Sequence, residues 1–311
     1  MDAAVASQHG DAAMPAPTGE RILLNTGPTE RWWHRLETYL RCPVLFAQTQ
    51  LPSATGKPRL HASGEALVRG SLGHVGLAHL YARKQCRQQG RDPELYYPPD
   101  EAIALVAPTF GEQGIYLRDL AINIVTAYHQ TYQHEGLEVV AVAQQFRTMV
   151  TLPGRTPRLF TQRFDLVLRD QAGKIWVWDH KLVHRVDAKA MALRYTLSGQ
   201  FLAMSHFGPM LWGSAFGGIR INLCGAQEPH KFKRLSPMPA PAAGAKFPKL
   251  VLDVEDDIER QMALGLAPED WGPPRFNEHA CVGRYDICPA YDICQWGSAL
   301  QGGVGGSGIE E

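Results

Sequence analysis

The sequence predicts an α/β protein, a mixed β-sheet flanked by helices with a helical N-terminal part. Three observations predict it. Apolar residues recur at helical spacing through the first half of the chain, extended segments take over after about residue 138, and a helix and one more strand follow the pair of strands in the middle.

In order, the periodicity predicts helices over Thr29 to Ala47, over Glu65 to Gln88 with Leu67, Val68, Leu72, Val75 and Leu80 apolar, and over Gly114 to Tyr132 with Leu117, Leu120, Ile122, Ile124 and Val125 apolar. Val139 to Val142 and Phe146 to Leu152 read as extended. Leu159 to Leu168 and Ile175 to Val183 flank Arg169-Asp170-Gln171-Ala172-Gly173-Lys174, whose Asp and Gly favour a turn, and so read as a hairpin. A helix is expected from about Ala188 to Phe207, a strand near Gly217 to Cys224, and a short helix from Lys249 to about Leu264. Pro237 to Pro248 holds too many prolines for regular structure and reads as a surface connection. Residues 1–20 (Ala-, Pro- and Gly-rich) and 301–311 (Gly-rich) are expected to be disordered.

With 311 residues, 45% hydrophobic and 20% charged, the chain can bury a substantial core. It lacks an apolar run of bilayer length and a basic-then-apolar start, so no membrane association and a cytoplasmic location are the expectation. Net charge is zero, so any nucleic-acid surface has to be a local groove and not a basic face. In a reducing compartment six cysteines read as small core residues or as metal ligands rather than disulfides.

The hairpin carries charged residues inside apolar strands, Asp165 in the first and Asp179, His180 and Lys181 in the second. A pivot near Ala172 pairs residues whose numbers sum to 344, which sets Asp165 opposite Asp179 with Cβ atoms about 4.5–5.5 Å apart. Strand alternation puts Lys181 on the same face as Asp179. Two carboxylates and an ammonium that converge this way can hold a divalent cation and orient a water. A cross-strand ion-pair cluster on a solvated face is the plain structural reading, and a glycosidase-like carboxylate pair is a third, which leaves Lys181 and the cysteines unused.

The order Asp165, a 13-residue interval, then Asp179-His180-Lys181 resembles the core motif of the PD-(D/E)XK nuclease superfamily, and Gly70-Ser71-Leu72-Gly73-His74 resembles the GxxxH motif of its RecB-like branch. Gln200 falls where those enzymes carry a glutamine. The tyrosine often found four residues later is Met204 here, and a glutamate many relatives carry before the hairpin is replaced around Ala143-Gln144-Gln145, to which no role is assigned. The resemblance implies a restriction-endonuclease-like core and a DNA exonuclease acting on single strands or ends in recombination, repair or replication. It also implies that His74, Asp165, Asp179 and the backbone carbonyl of His180 ligate Mg²⁺ or Mn²⁺, with Lys181 positioning or deprotonating the attacking water and Gln200 assisting. The rival reading is a catalytically silent DNA-end-binding or scaffold protein of the same fold, partnered with a helicase or recombinase.

Cys281, Cys288 and Cys294 gather three thiols in a short stretch, and either Zn²⁺ or a 4Fe-4S cluster needs a fourth ligand. Resemblance to iron-sulfur nucleases of the AddB type and to CRISPR-associated RecB-like exonucleases points to Cys42, a lone cysteine before a proline on the N-terminal helix, and to a 4Fe-4S cluster. Structural Zn²⁺ is the competing assignment and unligated thiols the plain one; Cys86 and Cys224 read as core residues. On this reading residues 21–300 form one nuclease domain: 21–135 a helical part with Cys42 and His74, 136–225 the catalytic core, and 226–300 a C-terminal iron-sulfur subdomain with the cluster cysteines. Candidate DNA contacts are Arg185, Lys189, His230, Lys231, Lys233 and Arg234 for phosphates, and Trp32, Trp33, Tyr195 and Trp296 for stacking on bases.

Overall fold

The structure is a computed structural model and describes residues 20–51, 64–196, 198–237, 239, 241–271, 281, 288 and 290. The chain divides into two compact units, one of Met1–Trp32, Ser63–Met149 and Leu159–Pro248, the other of Trp33–Ala62, Val150–Arg158 and Lys249–Glu311. Of the ends expected to be disordered, 1–20 and 301–311, all but Glu20 lies outside the described residues.

The first unit is a five-stranded mixed sheet with helices on both faces. Its strands are β1 (Glu138–Val150), β2 (Arg158–Arg169), β3 (Ile175–Val183), β4 (Phe216–Gly225) and β5 (Phe232–Leu235), in that spatial order. Pairing is antiparallel for β2 with β3 and for β4 with β5, and parallel for β3 with β4. A parallel pair cannot be joined by a tight turn, and here two helices make the crossover: α6 (Ala188–Thr196) and α7 (Gly199–Trp212). They divide at Ser198, at the N-terminus of α7, where the sequence predicts one continuous helix.

Because both faces are covered, the strands read as nearly unbroken apolar runs. Leu166, Leu168, Trp178 and Leu182 face a core built with α3 (Glu65–Gln88), α4 (Pro99–Val106) and α5 (Gly111–Tyr132). Phe164, Val167, Ile175 and Val177 face the other core, with Phe201 and Met204 of α7. The observed register Leu166↔Trp178, Val167↔Val177 and Leu168↔Trp176 keeps the predicted sum of 344. β1 runs through both segments expected to be extended, and the interruption between them falls on Ala143, whose φ of 48° lies in the left-handed region that residues with a Cβ rarely adopt.

In the second unit, the helix expected over Thr29 to Ala47 is two, α1 (Trp33–Arg41) and α2 (Pro43–Gln50). Pro43 disfavours helical geometry in the residue before it, and Cys42 is extended at φ −163° and ψ 121°. The proline-rich stretch predicted to be an irregular connection is instead helical from Pro241, at the start of α8 (Pro241–Ala263). Pro241 sits in the first turn, where a missing N–H costs nothing, and the fully buried Phe247 gives the turn before Pro248 a packing gain that outweighs its poor propensity. Further along α8, Glu255 pairs with Arg35 in the interior, Asp257 accepts from Tyr39 at 2.6 Å, and Asp256 accepts from Arg155 at 2.7 Å and Arg158 at 2.8 Å. No described helix is long and apolar enough to cross a membrane.

Candidate active site

Each candidate site residue of the first unit is placed by a regular element. His74 stands on α3, which can lie close to β3 because residue 73 is glycine: a Cβ there would come within 2.0 Å of Leu182 Cδ2. Gly70 meets nothing within 4 Å, so Gly73 is the glycine of this motif on which the close approach depends. Asp165 is on β2, Asp179, His180 and Lys181 are on β3, and Gln200 is in the first turn of α7.

These residues form one connected set. Asp165 Oδ2 accepts from the His180 backbone N–H at 2.8 Å and lies 3.1 Å from His74 Nδ1. Asp179 Oδ2 lies 2.8 Å from Lys181 Nζ, while its Oδ1 accepts from Gln200 Nε2 at 2.7 Å. Gln200 Oε1 in turn accepts from Lys181 Nζ at 3.0 Å. Asp179 is only 2% exposed, which does not fit an ion-pair cluster on a solvated sheet face.

Burial and charge act against each other in this set. Burial pushes the Asp179 carboxyl up, and the neighbouring Asp165 charge adds to it against the pull of Lys181. Burial acts on Asp165 in the same sense, but His74 and the His180 N–H outweigh it and hold that carboxyl below the usual range. Burial pulls the Lys181 ammonium down, and the charge of Asp179 more than restores it. His74 behaves the same way toward Asp165, whereas burial pushes the His180 imidazole down to about 3 and keeps it neutral.

The donor chemistry of the set, two carboxylates and an imidazole, fits a hard divalent cation, and Asp165 and His74 line a cavity of about 10 Å³ together with Thr26, Ala78, Ala143, Arg163 and His180. That is roughly the space one water needs. Among the described residues no group of three His, Cys, Asp or Glu side chains already stands in ligating geometry, since His74 is turned onto Asp165 and Lys181 onto Asp179.

Behind the site lies a buried polar network that the sequence does not announce. Arg234 Nε donates to Asn222 Oδ1 at 3.0 Å, which leaves the Asn222 amide nitrogen to donate to His180 Nδ1 at 3.1 Å and to the Tyr128 hydroxyl at 2.9 Å. Tyr81 stacks on the His180 ring with centroids 5.9 Å apart. Arg234, a candidate phosphate contact in the sequence, is therefore committed to the interior: it also pairs with both oxygens of Glu135 and lies over the rings of Tyr132 and Trp178. Arg185, Lys189, Lys231 and Lys233 are exposed. Trp33 is buried at 6% exposure and so packs in its unit's core rather than presenting a face for stacking, and Trp296 lies outside the described residues. Arg163 and Ala143, the latter given no role from sequence, also line the site, and strand alternation puts Arg163 on the face of Asp165.

In the second unit Cys42 and Cys288 share a small apolar cluster with Val44, Leu45 and Ala290. The Cys288 N–H donates to the Cys281 carbonyl at 2.8 Å, and the Cys288 thiol is pushed up first by burial and also by the neighbouring Cys42 and Cys281. Cys294 lies outside the described residues. Cys86 and Cys224 are fully buried in the first unit.

The model of the PD-(D/E)XK nuclease superfamily matches residues 33–295 of the chain. No curated protein matches it. Among solved structures, that of SSO0001 is similar at 13% identity over 84% of this chain and 92% of that one, with a TM-score of 0.33, a likeness too loose to bear on function.

Proposed function

The chain belongs to the PD-(D/E)XK nuclease superfamily, and from that membership we propose a metal-dependent DNA nuclease, an exonuclease acting on single strands or DNA ends in recombination, repair or replication. The observation that carries the reading is the convergence of Asp165, Asp179, Lys181, His74 and Gln200 on one buried spot of the β2–β3 hairpin.

His74, Asp165, Asp179 and the His180 carbonyl would hold Mg²⁺ or Mn²⁺, the imidazole suiting Mn²⁺ at least as well. When bound, the cation polarises the phosphoryl oxygen and lowers the pKa of a nearby water. Asp165 and Asp179 keep the site anionic and so recruit the cation. Lys181 remains an ammonium, since Asp179 raises its pKa, which favours orienting the water and neutralising charge on phosphorus over removing a proton. Gln200 holds the Lys181–Asp179 pair in register from the helix side. Hydrolysis puts the water oxygen on phosphorus, passes its proton to solvent, and releases the 3′ oxygen, protonated from solvent. Linear single-stranded DNA labelled at either end, incubated with and without Mn²⁺, tests this: the wild type should shorten it and Asp179→Ala and Lys181→Ala should not. No cleavage by the wild type with any divalent metal would favour the DNA-end-binding scaffold partnered with a helicase or recombinase.

For the second unit we propose that Cys42, Cys281, Cys288 and Cys294 hold a 4Fe-4S cluster, with structural Zn²⁺ as the alternative. The shared surroundings of Cys42 and Cys288, with Cys281 beside them, support a common ligand set. Anaerobic protein should be brown and carry iron and sulfide. Colourless protein with one zinc per chain would overturn the cluster.

A further inference from the structure

Arg163 stands two residues before Asp165 on β2, so both side chains leave the same face of the strand. Together with Thr26, His74, Ala143, Asp165 and His180 it lines the small cavity at Asp165. One end of its guanidinium is fixed, as Nη1 donates to the backbone carbonyl of Asn25 and, at 2.8 Å, to the Asn25 side-chain oxygen. The other side is not satisfied: Nε is buried and has no hydrogen-bond partner among the described residues. Burial also works against its charge, with only Asp165 opposing. A cation held in place with a buried donor unspent is costly unless an anion completes it.

We infer that Arg163 is a phosphate-binding residue of this site and engages a non-bridging oxygen of the DNA phosphodiester brought to Asp165 and Asp179. The inference rests on the nuclease reading and adds a substrate contact to it. Guanidinium is suited to the task, because its planar fork matches a phosphate and it stays charged where an amine can lose its proton. Asn25 fixes one end of the fork, and the place of Arg163 in the lining beside Asp165 puts its guanidinium next to the carboxylate the phosphodiester would approach. Lys181 and Arg163 then supply two positive groups, one from each strand of the hairpin, to a substrate whose negative charge grows as water adds to phosphorus.

The test uses the full-length protein and a fluorescein-labelled thymidine oligonucleotide. Binding is measured in Ca²⁺ across a salt series and cleavage in Mn²⁺, for wild type, Arg163→Gln, Arg163→Lys and Asn25→Ala, each with its Tm. Loss of one phosphate contact should lower the slope of log affinity against log salt by about 0.7 for Arg163→Gln, a change that a purely structural role would not produce. Its kcat/KM should fall at least about 100-fold, the scale of a lost contact to developing charge. Asn25→Ala keeps the guanidinium and loses part of its anchor, so its slope and rate should fall less than those of Arg163→Gln. Should Arg163→Gln not fold, Arg163→Lys decides, and it should keep the slope and lose about tenfold or more in rate; a wild-type rate in Arg163→Lys overturns the inference. An unchanged slope in Arg163→Gln overturns it, as does an Asn25→Ala variant that loses more slope than Arg163→Gln, or a wild type that binds no single strand. Binding with the expected slope difference but without cleavage would sink the nuclease reading and leave the phosphate contact standing.

Discussion

The Lys181 ammonium and the Asp179 carboxylate lie 2.8 Å apart on the same strand, one 21% and the other 2% exposed at the side chain. A charge pair this far from water holds only if its remaining valences are met. Gln200 meets one on each partner. Removing that bridge should leave the fold intact and loosen the pair. A hydrogen bond to a charged group is worth about 1.5–3 kcal/mol, so Gln200→Ala should slow cleavage by about 10- to 150-fold. Steady-state kinetics on single-stranded DNA check this, and a rate within twofold of wild type would remove Gln200 from the site.

The two glycines of the motif before His74 should behave in opposite ways. Gly73→Ala drives a methyl into Leu182, forces α3 from β3 and should cost about 1–3 kcal/mol. Gly70 has open space in mid-helix, where alanine is favoured by about 0.5–1 kcal/mol, so Gly70→Ala should be neutral or stabilising. Urea denaturation of both variants separates them; equal destabilisation would contradict the packing described.

His79 gives the first unit a defined response to acid. Its Nδ1 donates to the Tyr97 carbonyl at 3.2 Å and its Nε2 accepts the Leu24 N–H at 3.1 Å, an arrangement open only to the neutral ring. Burial pushes its pKa down to about 4 from 6.5. Between those values the unfolded chain takes up a proton that the folded chain refuses, so stability is complete above about pH 6.5 and falls as pH drops toward 4. The shift is worth on the order of 2 kcal/mol after allowance for screening, and His79→Gln should flatten the profile. Denaturation midpoints at pH 7 and pH 5 for both proteins measure it, and parallel profiles would exclude His79 as the source.

The pair of Arg35 and Glu255 in the second unit should be intolerant of single changes. Glu255 is 2% exposed and Arg35 also lies 5.1 Å from the Phe46 ring centroid. Glu255→Ala takes a carboxylate from a buried guanidinium and should cost about 3–5 kcal/mol. Replacing both partners, as Arg35→Met with Glu255→Leu, should recover part of that loss. A Tm for Glu255→Ala unchanged from wild type would contradict the interior placement of the pair.

Much of this arrangement is legible before any coordinates, for a physical reason. The two-residue period of a strand and the turn at residues 169–174 leave one register for the hairpin, so the meeting of Asp165, Asp179 and Lys181 follows from spacing alone. The α3 stretch is bounded correctly because its apolar stripe is long. What stays hidden depends on partners distant in sequence. Arg234 looks like a surface cation until Glu135, 99 residues away, closes on it. The helix through Pro248 is hidden because local propensity opposes it and only the burial of Phe247 supports it. Arg163 falls between these cases: alternation puts it on the face of Asp165, but nothing local distinguishes it from a solvated surface charge.

Mn²⁺ titration followed by electron paramagnetic resonance, comparing wild type with Asp165→Asn/Asp179→Asn, addresses the carboxylate pair itself. Wild type should sequester at least one ion per chain and the double variant one fewer. Equal Mn²⁺ uptake by the two proteins would mean that these carboxylates do not grip the ion.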